Sequence, residues 1–81
     1  MAKIKFNGWE PGARKIKFTM LLYHEAGLSL AEAKKIKDRV IDNDETVEIL
    51  IHNWETASEI QRKAIKLGIK SEIIDDSFID E

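Results

Sequence analysis

The sequence predicts an α+β two-layer sandwich, in which three helices cover one face of a three-stranded antiparallel sheet. Three observations carry this prediction: a strand-like alternation near the start, a helix-break-helix joint at residues 27–34, and a strand-helix-strand pattern after residue 45. The predicted element order is therefore β-α-α-β-α-β. Because three short strands are not stable alone in water, the helices must shelter one face of the sheet.

The first strand and the first helix are separated by a turn. Residues 3–7, Lys-Ile-Lys-Phe-Asn, alternate polar and apolar side chains, as a half-buried strand does. Asn7 and Gly8 mark either the end of this strand or a bulge in it. Residues 10–12, Glu-Pro-Gly, predict a turn because proline presets φ and glycine has a permissive backbone. A helix is predicted over residues 15–26.

Residues 27–34, Gly-Leu-Ser-Leu-Ala-Glu-Ala-Lys, end one helix and begin the next. Gly27 can adopt the left-handed conformation that ends many helices. Ser29 and Glu32 predict a capping box, in which each side chain accepts a hydrogen bond from the backbone N–H of the other residue. The second helix is predicted over residues 30–41, where the apolar residues follow helical spacing.

The second half of the chain returns to strand periodicity. Residues 42–45, Asp-Asn-Asp-Glu, predict a loop because their side chains compete for backbone hydrogen bonds. A strand is predicted over residues 46–52. One of its faces is apolar and comprises Val47, Ile49 and Ile51.

The third helix is predicted over residues 54–67, between a capping Asn53 and a terminating Gly68. We expect Trp54, in its first turn, to pack against the helical layer. Its inner stripe comprises Ala57, Ile60, Ala64 and Leu67. The last predicted strand is residues 69–74.

The chain has 81 residues, which predicts one small domain over residues 1–74 and an acidic tail over residues 75–81. Three interpretations of the tail remain: an unanchored terminus, a lid that places Phe78 and Ile79 on an apolar patch, or a short docking motif. The absence of cysteine excludes disulfides and cysteine nucleophiles, and it favours a cytoplasmic protein. The longest apolar run, residues 20–23, is too short to span a bilayer.

The net charge of −2 is unevenly distributed along the chain. Residues 1–40 contain nine Lys or Arg and four Asp or Glu, whereas residues 41–81 contain four and eleven. Either the fold mixes these charges, or the first helices form a basic patch that attracts an acidic partner. The few arginines and an isoelectric point of about 5.7 argue against a nucleic-acid partner.

The first helix has apolar residues on two sides. One stripe is expected to face the core and comprises Phe18, Leu21, Leu22 and Ala26. The second lies nearly opposite and comprises Ile16, Met20 and Tyr23. This second stripe is either additional core under another element or an exposed patch flanked by Lys15 and Lys34. We favour the exposed patch, since tyrosine supplies rigid contact area and methionine adapts its shape to a partner.

The element order and the joint at residues 27–34 resemble the C-terminal domain of the bacterial ribosomal stalk protein, over roughly residues 3–74. That family has Gly-Leu-Gly-Leu-Lys-Glu-Ala-Lys at the joint, so Ser29 replaces a family glycine. It also has Gly-Ala-Asn-Lys at the start of its first helix, where residues 12–15 here are Gly-Ala-Arg-Lys.

The resemblance implies a protein-binding surface on the first two helices. In stalk proteins this surface recruits translational GTPases through lysines, an arginine and small apolar residues. Lys15, Ile16 and Lys34 match that pattern, whereas Met20 and Tyr23 stand in place of a family lysine and arginine. The candidate partner-binding residues are Lys15, Ile16, Thr19, Met20, Tyr23, Leu30 and Lys34.

The same broad fold resembles the Clp protease adaptor, which holds the α-amino group of a substrate with acidic residues. The turn after the first strand offers one such carboxylate, on Glu10.

The sequence predicts no enzyme, metal site or cofactor. His24 and His52 each lack a second ligand at metal spacing. Asp42, Asp44 and Glu45 lack the glycine and the distal glutamate of a calcium loop. We interpret these residues as solvated surface.

The uncovered face of the sheet is expected to carry Lys3, Lys5, Trp9 and Leu50. Such a face is either a dimer surface or a partly apolar exterior. The oligomeric state is left open by the sequence.

These observations predict a small cytoplasmic protein–protein interaction module that presents its first two helices to a protein partner, one of acidic character if the basic patch forms. One alternative is a translation-associated domain that binds the ribosome or a GTPase. Another is a peptide binder similar to the protease adaptor.

Overall fold

The computed structural model describes residues 2–75, which form a three-stranded antiparallel sheet and three helices in the order β-α-α-β-α-β. The predicted fold class is therefore confirmed. The last strand includes Asp75, which the sequence analysis assigned to the acidic tail. The rest of that tail, residues 76–81, lies outside the described residues, as does Met1.

The sheet places the first strand in the middle. Strand β1 (Ala2–Trp9) lies between β2 (Val47–Ile51) and β3 (Ile69–Asp75), and it is antiparallel to both. Ile4 is paired with Ile49 on one side and with Ile73 on the other. Because paired residues point to the same face, this register places Ile4, Ile49 and Ile73 together on the face that the helices cover.

The helices are α1 (Lys15–Glu25), α2 (Leu30–Lys37) and α3 (Trp54–Lys66). Each begins where a helix was predicted, within the accuracy of helix boundaries. No helix within residues 2–75 combines the length and apolar composition needed to cross a membrane.

The core lies between the sheet and the helices. The rings of Phe6 in β1 and Phe18 in α1 meet edge to face, with centroids 5.2 Å apart. The other large side chains that are fully buried come from every layer: Ile4, Leu22, Val40, Ile60 and Ile69. The predicted inner faces of β2 and α3 point into this core.

A bulge in β1 changes the direction of its last side chains. Phe6 is paired with Ser71 and Gly8 with Lys70, so Asn7 is an extra residue in β1. After the bulge, Trp9 is paired with buried Ile69 and packs against the core. The expectation that Trp9 lies on the uncovered face is therefore wrong, because the extra residue reverses the alternation of faces.

The predicted joint between α1 and α2 is confirmed in detail. Gly27 has a φ of 75°, which glycine adopts without strain. The N–H of Ser29 donates to Oε1 of Glu32, and the N–H of Glu32 donates to Oγ of Ser29, each over 3.1 Å. This capping box fixes the start of α2 at Leu30.

The second helix does not continue to residue 41 as an α-helix. It becomes a π-helical turn over Asp38–Asp42, in which the N–H of Asn43 donates to the carbonyl of Asp38 over 3.0 Å. A π-turn contains one more residue than an α-turn, and such turns occur mostly as single turns within or beside α-helices. Within this wider turn, the adjacent residues Val40 and Ile41 are both buried in the core.

Candidate partner-binding surface

Helix α1 is buried on one side and exposed on the other. Its inner residues Phe18, Leu21 and Leu22 belong to the core. Its outer residues are well exposed, at 79% for Ile16, 38% for Met20 and 42% for Tyr23. Within residues 2–75, the outer stripe is therefore not additional core.

A groove of about 420 Å³ lies between α1 and α2. Four of its lining residues bring apolar atoms: Ile16, Thr19 and Met20 from α1, and Leu30 from α2. The other three are charged: Lys34 and Lys37 from the second half of α2, and Asp38 from the π-turn that follows it. The groove thus combines an apolar floor with a mostly cationic rim.

Local sequence explains why the groove exists. Gly27 reverses the chain direction, and the capping box starts α2 at once, so Leu30 is the first residue of the new helix. Leu30 remains exposed beside Met20, whereas Ala33 one turn later is fully buried. Because alanine lets helices approach closely, α2 packs tightly onto the core while its first turn stays open.

Thr19 was predicted to contact a partner, but most of its side chain is buried. It is only 6% exposed, and its hydroxyl donates to the carbonyl of Lys15 over 3.1 Å. A hydroxyl that is bonded to its own helix offers a partner little polar chemistry. Thr19 therefore shapes the floor of the groove, and the prediction that it contacts a partner directly is not supported by its burial.

The cations of the rim differ in how they are paired. The ammonium of Lys37 lies 2.6 Å from Oδ1 of Asp38. This hydrogen bond raises the pKa of Lys37 and lowers the pKa of Asp38 from their ordinary values. Lys34 has no ion pair within residues 2–75, so its charge is the one most available to an incoming carboxylate.

Two of the seven predicted residues do not line the groove. Lys15 lies at the start of α1, where its ammonium is 3.6 Å from a carboxylate oxygen of Asp42. Tyr23 lies further along α1, and its ring meets His24 edge to face with centroids 5.0 Å apart. Both extend the exposed surface of α1 beyond the groove itself.

Two groove residues, Lys37 and Asp38, were missed by the sequence analysis. Lys37 lies three residues after Lys34, and side chains at that spacing share one face of a helix. That spacing was the available signal for Lys37. Nothing in the sequence marks Asp38, because its position depends on where the α-helix gives way to the π-turn.

The residues considered as metal ligands, and the acidic loop at residues 42–45, do not line the groove. Among residues 2–75, no three His, Cys, Asp or Glu side chains are placed to hold one metal ion. In the acidic loop, Asp44 accepts a hydrogen bond from the indole of Trp9 over 3.0 Å, and Glu45 pairs with Arg39 over 2.8 Å. These carboxylates therefore secure the loop to β1 and to the π-turn.

Trp54 is exposed and is not part of the core or of the residues packed against it, so the expectation that it packs on the helical layer is wrong. It is the first residue of α3 and does not belong to the buried stripe of that helix, which comprises Ala57, Ile60 and Ala64.

No protein-family model matches the chain, and no curated protein matches its sequence significantly.

Proposed function

We propose that this protein is an interaction module that binds a protein partner in the groove between α1 and α2. The observation that supports the proposal is the exposure of Ile16, Met20 and Leu30 around one concave surface. Apolar side chains gathered in a groove and bordered by charge are typical of protein-binding sites.

The partner that fits this groove is an amphipathic helix with apolar anchors and acidic flanks. A helix lays its apolar face into a groove through side chains at a spacing of three or four residues. Lys34 and Lys37 then meet the acidic flank, which favours fast association and excludes basic partners. Met20 is central to this contact, because it lines the groove from α1 and its flexible side chain can adapt to the anchor.

The direct test compares Met20→Asp with Ile65→Asp. Ile65 is an exposed apolar residue on α3, outside the groove, so both changes place a carboxylate on a helix surface. A partner is first isolated on immobilised wild-type protein alone, without reference to the variants. The binding is then measured with the purified partner.

We expect Met20→Asp to weaken that binding by at least tenfold, which is about 1.4 kcal/mol, while both variants unfold cooperatively. Equal binding by the two variants would refute the groove as the binding site. Loss of cooperative unfolding in Met20→Asp alone would show that Met20 is structural.

A translation-associated role is the second candidate, and the residues that match the stalk family favour it. Lys15 and Ile16 are exposed at the start of α1, and Lys34 lies on the rim of the same groove. This candidate predicts that a purified elongation-type GTPase binds the wild-type protein and Ile65→Asp but not Met20→Asp. Absence of binding to wild type would eliminate this candidate and leave the general proposal standing.

A further inference from the structure

The two outer strands of the sheet present different edges. In an antiparallel sheet, the N–H and C=O of one residue point to the same side of the strand, and those of the next residue point to the other side. The carbonyl of Ser71 in β3 accepts a hydrogen bond from the Gln61 side chain over 3.2 Å, so the backbone of Ser71 points away from β1. The neighbouring Glu72 therefore bonds to Lys5 of β1.

The same alternation fixes the orientation of β2. Since Lys3 and Lys5 direct their backbone groups toward β3, Ile4 directs its own toward its partner Ile49 in β2. The backbone groups of Glu48 and Leu50 consequently point to the outer edge of β2. Within residues 2–75, no side chain donates to or accepts from these groups, and neither does any backbone group of a turn, loop or cap.

The β3 edge is thus partly closed by a side chain, and the β2 edge is open. An open edge strand is a template for another strand, and proteins usually block it with lysine, proline or a bulge. Strand β2 has no lysine, proline or bulge. It reads Val-Glu-Ile-Leu-Ile, its one charged residue Glu48 is ion-paired with Lys3 of β1, and its outward side chain Leu50 is exposed.

We propose that β2 pairs with β2 of a second copy of this chain, in antiparallel orientation, and joins the two sheets into one of six strands. This surface is separate from the groove of the proposed function, and the inference does not depend on it. The second copy is favoured as occupant because one register is complementary in hydrophobicity within β2 and in charge between Glu48 and His52, the residue that follows the strand.

In that register, Leu50 of one copy lies opposite Leu50 of the other. His52 directly follows β2, so continued pairing by one residue would place Glu48 opposite His52 of the second copy, twice by symmetry, where each pair can form a hydrogen bond or an ion pair. On the helical side, half-buried Ile49 lies opposite Ile51. Apolar groups meet apolar groups, and carboxylates meet imidazoles.

The neighbouring registers are less favourable. In the register that places Ile49 opposite Ile49 of the second copy, Glu48 lies opposite Leu50, which buries a carboxylate against an apolar side chain. In the register centred on Glu48, the two Glu48 side chains lie opposite each other, and like charges directly opposite destabilise a strand pair. The Leu50 register is therefore the one that the side chains select.

Cysteine cross-linking tests this register directly, because the native chain contains no cysteine. Opposite residues in a hydrogen-bonded antiparallel pair have Cα atoms about 5.5 Å apart, within the roughly 4.4–6.8 Å range that a disulfide spans. We expect Leu50→Cys to form a disulfide dimer on mild oxidation. In the same register the two residues at position 48 are about 13 Å apart along the strand, so Glu48→Cys should not cross-link.

Ile65→Cys, on the outer surface of α3, measures disulfides formed by random collision. Cross-linking of Leu50→Cys well above both other variants supports the proposal. Equal cross-linking at all three positions, preferential cross-linking through Glu48→Cys, or a wild-type protein that stays monomeric at every concentration tested by sedimentation overturns it.

A charge-pairing experiment provides an independent check. Leu50→Glu places a glutamate beside Lys3 of its own sheet, which the single copy tolerates, but opposite a second glutamate in the dimer. Leu50→Lys places two lysines opposite each other. We expect each variant alone to be monomeric, and an equimolar mixture to form a one-to-one heterodimer. A mixture that stays monomeric, or variants that each dimerise as wild type does, would contradict the Leu50 register.

Discussion

Helices α1 and α3 differ in how they use their outer surfaces. On α3, the buried stripe of Ala57, Ile60 and Ala64 is backed by a surface rich in charge, where Glu59 pairs with Arg62 at 3.1 Å. On α1, the buried stripe is backed by a second apolar stripe that remains exposed. Helix α3 also exposes Trp54 and Ile65, so the difference lies in how the exposed apolar residues are grouped: Ile16 and Met20 of α1 lie together with Leu30 at one groove.

This grouping identifies α1 rather than α3 as the candidate binding helix. An isolated exposed apolar residue such as Ile65 is ordinary on a protein surface. A group of them around a groove is not, because it exposes apolar area that a partner could cover. The predictions below contrast equivalent changes on the two helices.

The largest effect is expected inside α1. Phe18→Ala removes a fully buried ring that contacts Phe6, and we expect a loss of about 3–5 kcal/mol in the free energy of unfolding. Met20→Ala on the opposite side of α1 should cost less than about 1 kcal/mol. Urea unfolding followed by tryptophan fluorescence gives both values. Similar losses in the free energy of unfolding for the two variants would show that both sides of α1 are equally buried.

A smaller effect is expected at the start of α3. The side chain of Asn53 accepts a hydrogen bond from the N–H of Thr56 over 2.7 Å, so Asn53→Ala should cost about 1 kcal/mol. Arg14, at the same position before α1, makes no such bond, and Arg14→Ala should be nearly neutral. Equilibrium unfolding of the two variants tests whether α3 depends on its cap more than α1 does.

A still smaller effect on stability is expected from Met20→Asp and Ile65→Asp. Each should change the free energy of unfolding by about 0.5 kcal/mol, since both side chains are exposed and only helix propensity is altered. Thermal unfolding monitored by circular dichroism measures this. The two variants should differ in partner binding but not in stability, and a much lower stability for either one would place that residue in the core.

The smallest effect is expected at the ion pair that joins the two helices, between Glu25 of α1 and Lys63 of α3. The hydrogen bond with Glu25 raises the pKa of Lys63 above its ordinary value of 10.5. The pair is solvated, so Lys63→Met should lower stability only slightly, and less so in high salt.

The pH dependence of this pair has a definite sign. A lysine whose pKa is raised on folding contributes stability below its ordinary pKa and loses that contribution as the pH rises through the raised value. The difference between wild type and Lys63→Met should therefore be present at neutral pH and vanish in strongly alkaline solution. A difference that is independent of pH would show that Lys63 acts through its aliphatic packing.

The elements of the fold were predictable from local chemistry. Ser29, Glu32 and Asn53 are residues whose side chains bond to nearby backbone, so their roles could be read from the sequence alone. The same holds for Gly68, whose φ of 90° ends α3. Such signals are strong because they involve groups only a few residues apart.

Features that depend on tertiary packing were not predictable. The position of Trp9 follows from one extra residue in β1. The change from α-helix to π-turn at Asp38–Asp42, in which Val40 and Ile41 are both buried, has no mark in the local sequence. For the candidate site, the sequence named most groove residues and favoured an exposed outer stripe, but it left a buried stripe open as the alternative. A helix that is apolar on two sides fits either environment, and only the positions of its neighbours distinguish them.

The position of β1 has a consequence for synthesis of the protein. The strand made first is the central one, and both of its neighbours are made much later. The N–H of Glu10 also donates to the carbonyl of Gly68 over 2.8 Å, so the turn after β1 forms a hydrogen bond with a residue 58 positions later in the sequence. Contacts this distant in sequence form slowly. The nascent polypeptide must therefore wait for β3 to emerge before it can close its sheet, and a ribosome stalled before Ile69 would hold an incomplete, aggregation-prone chain.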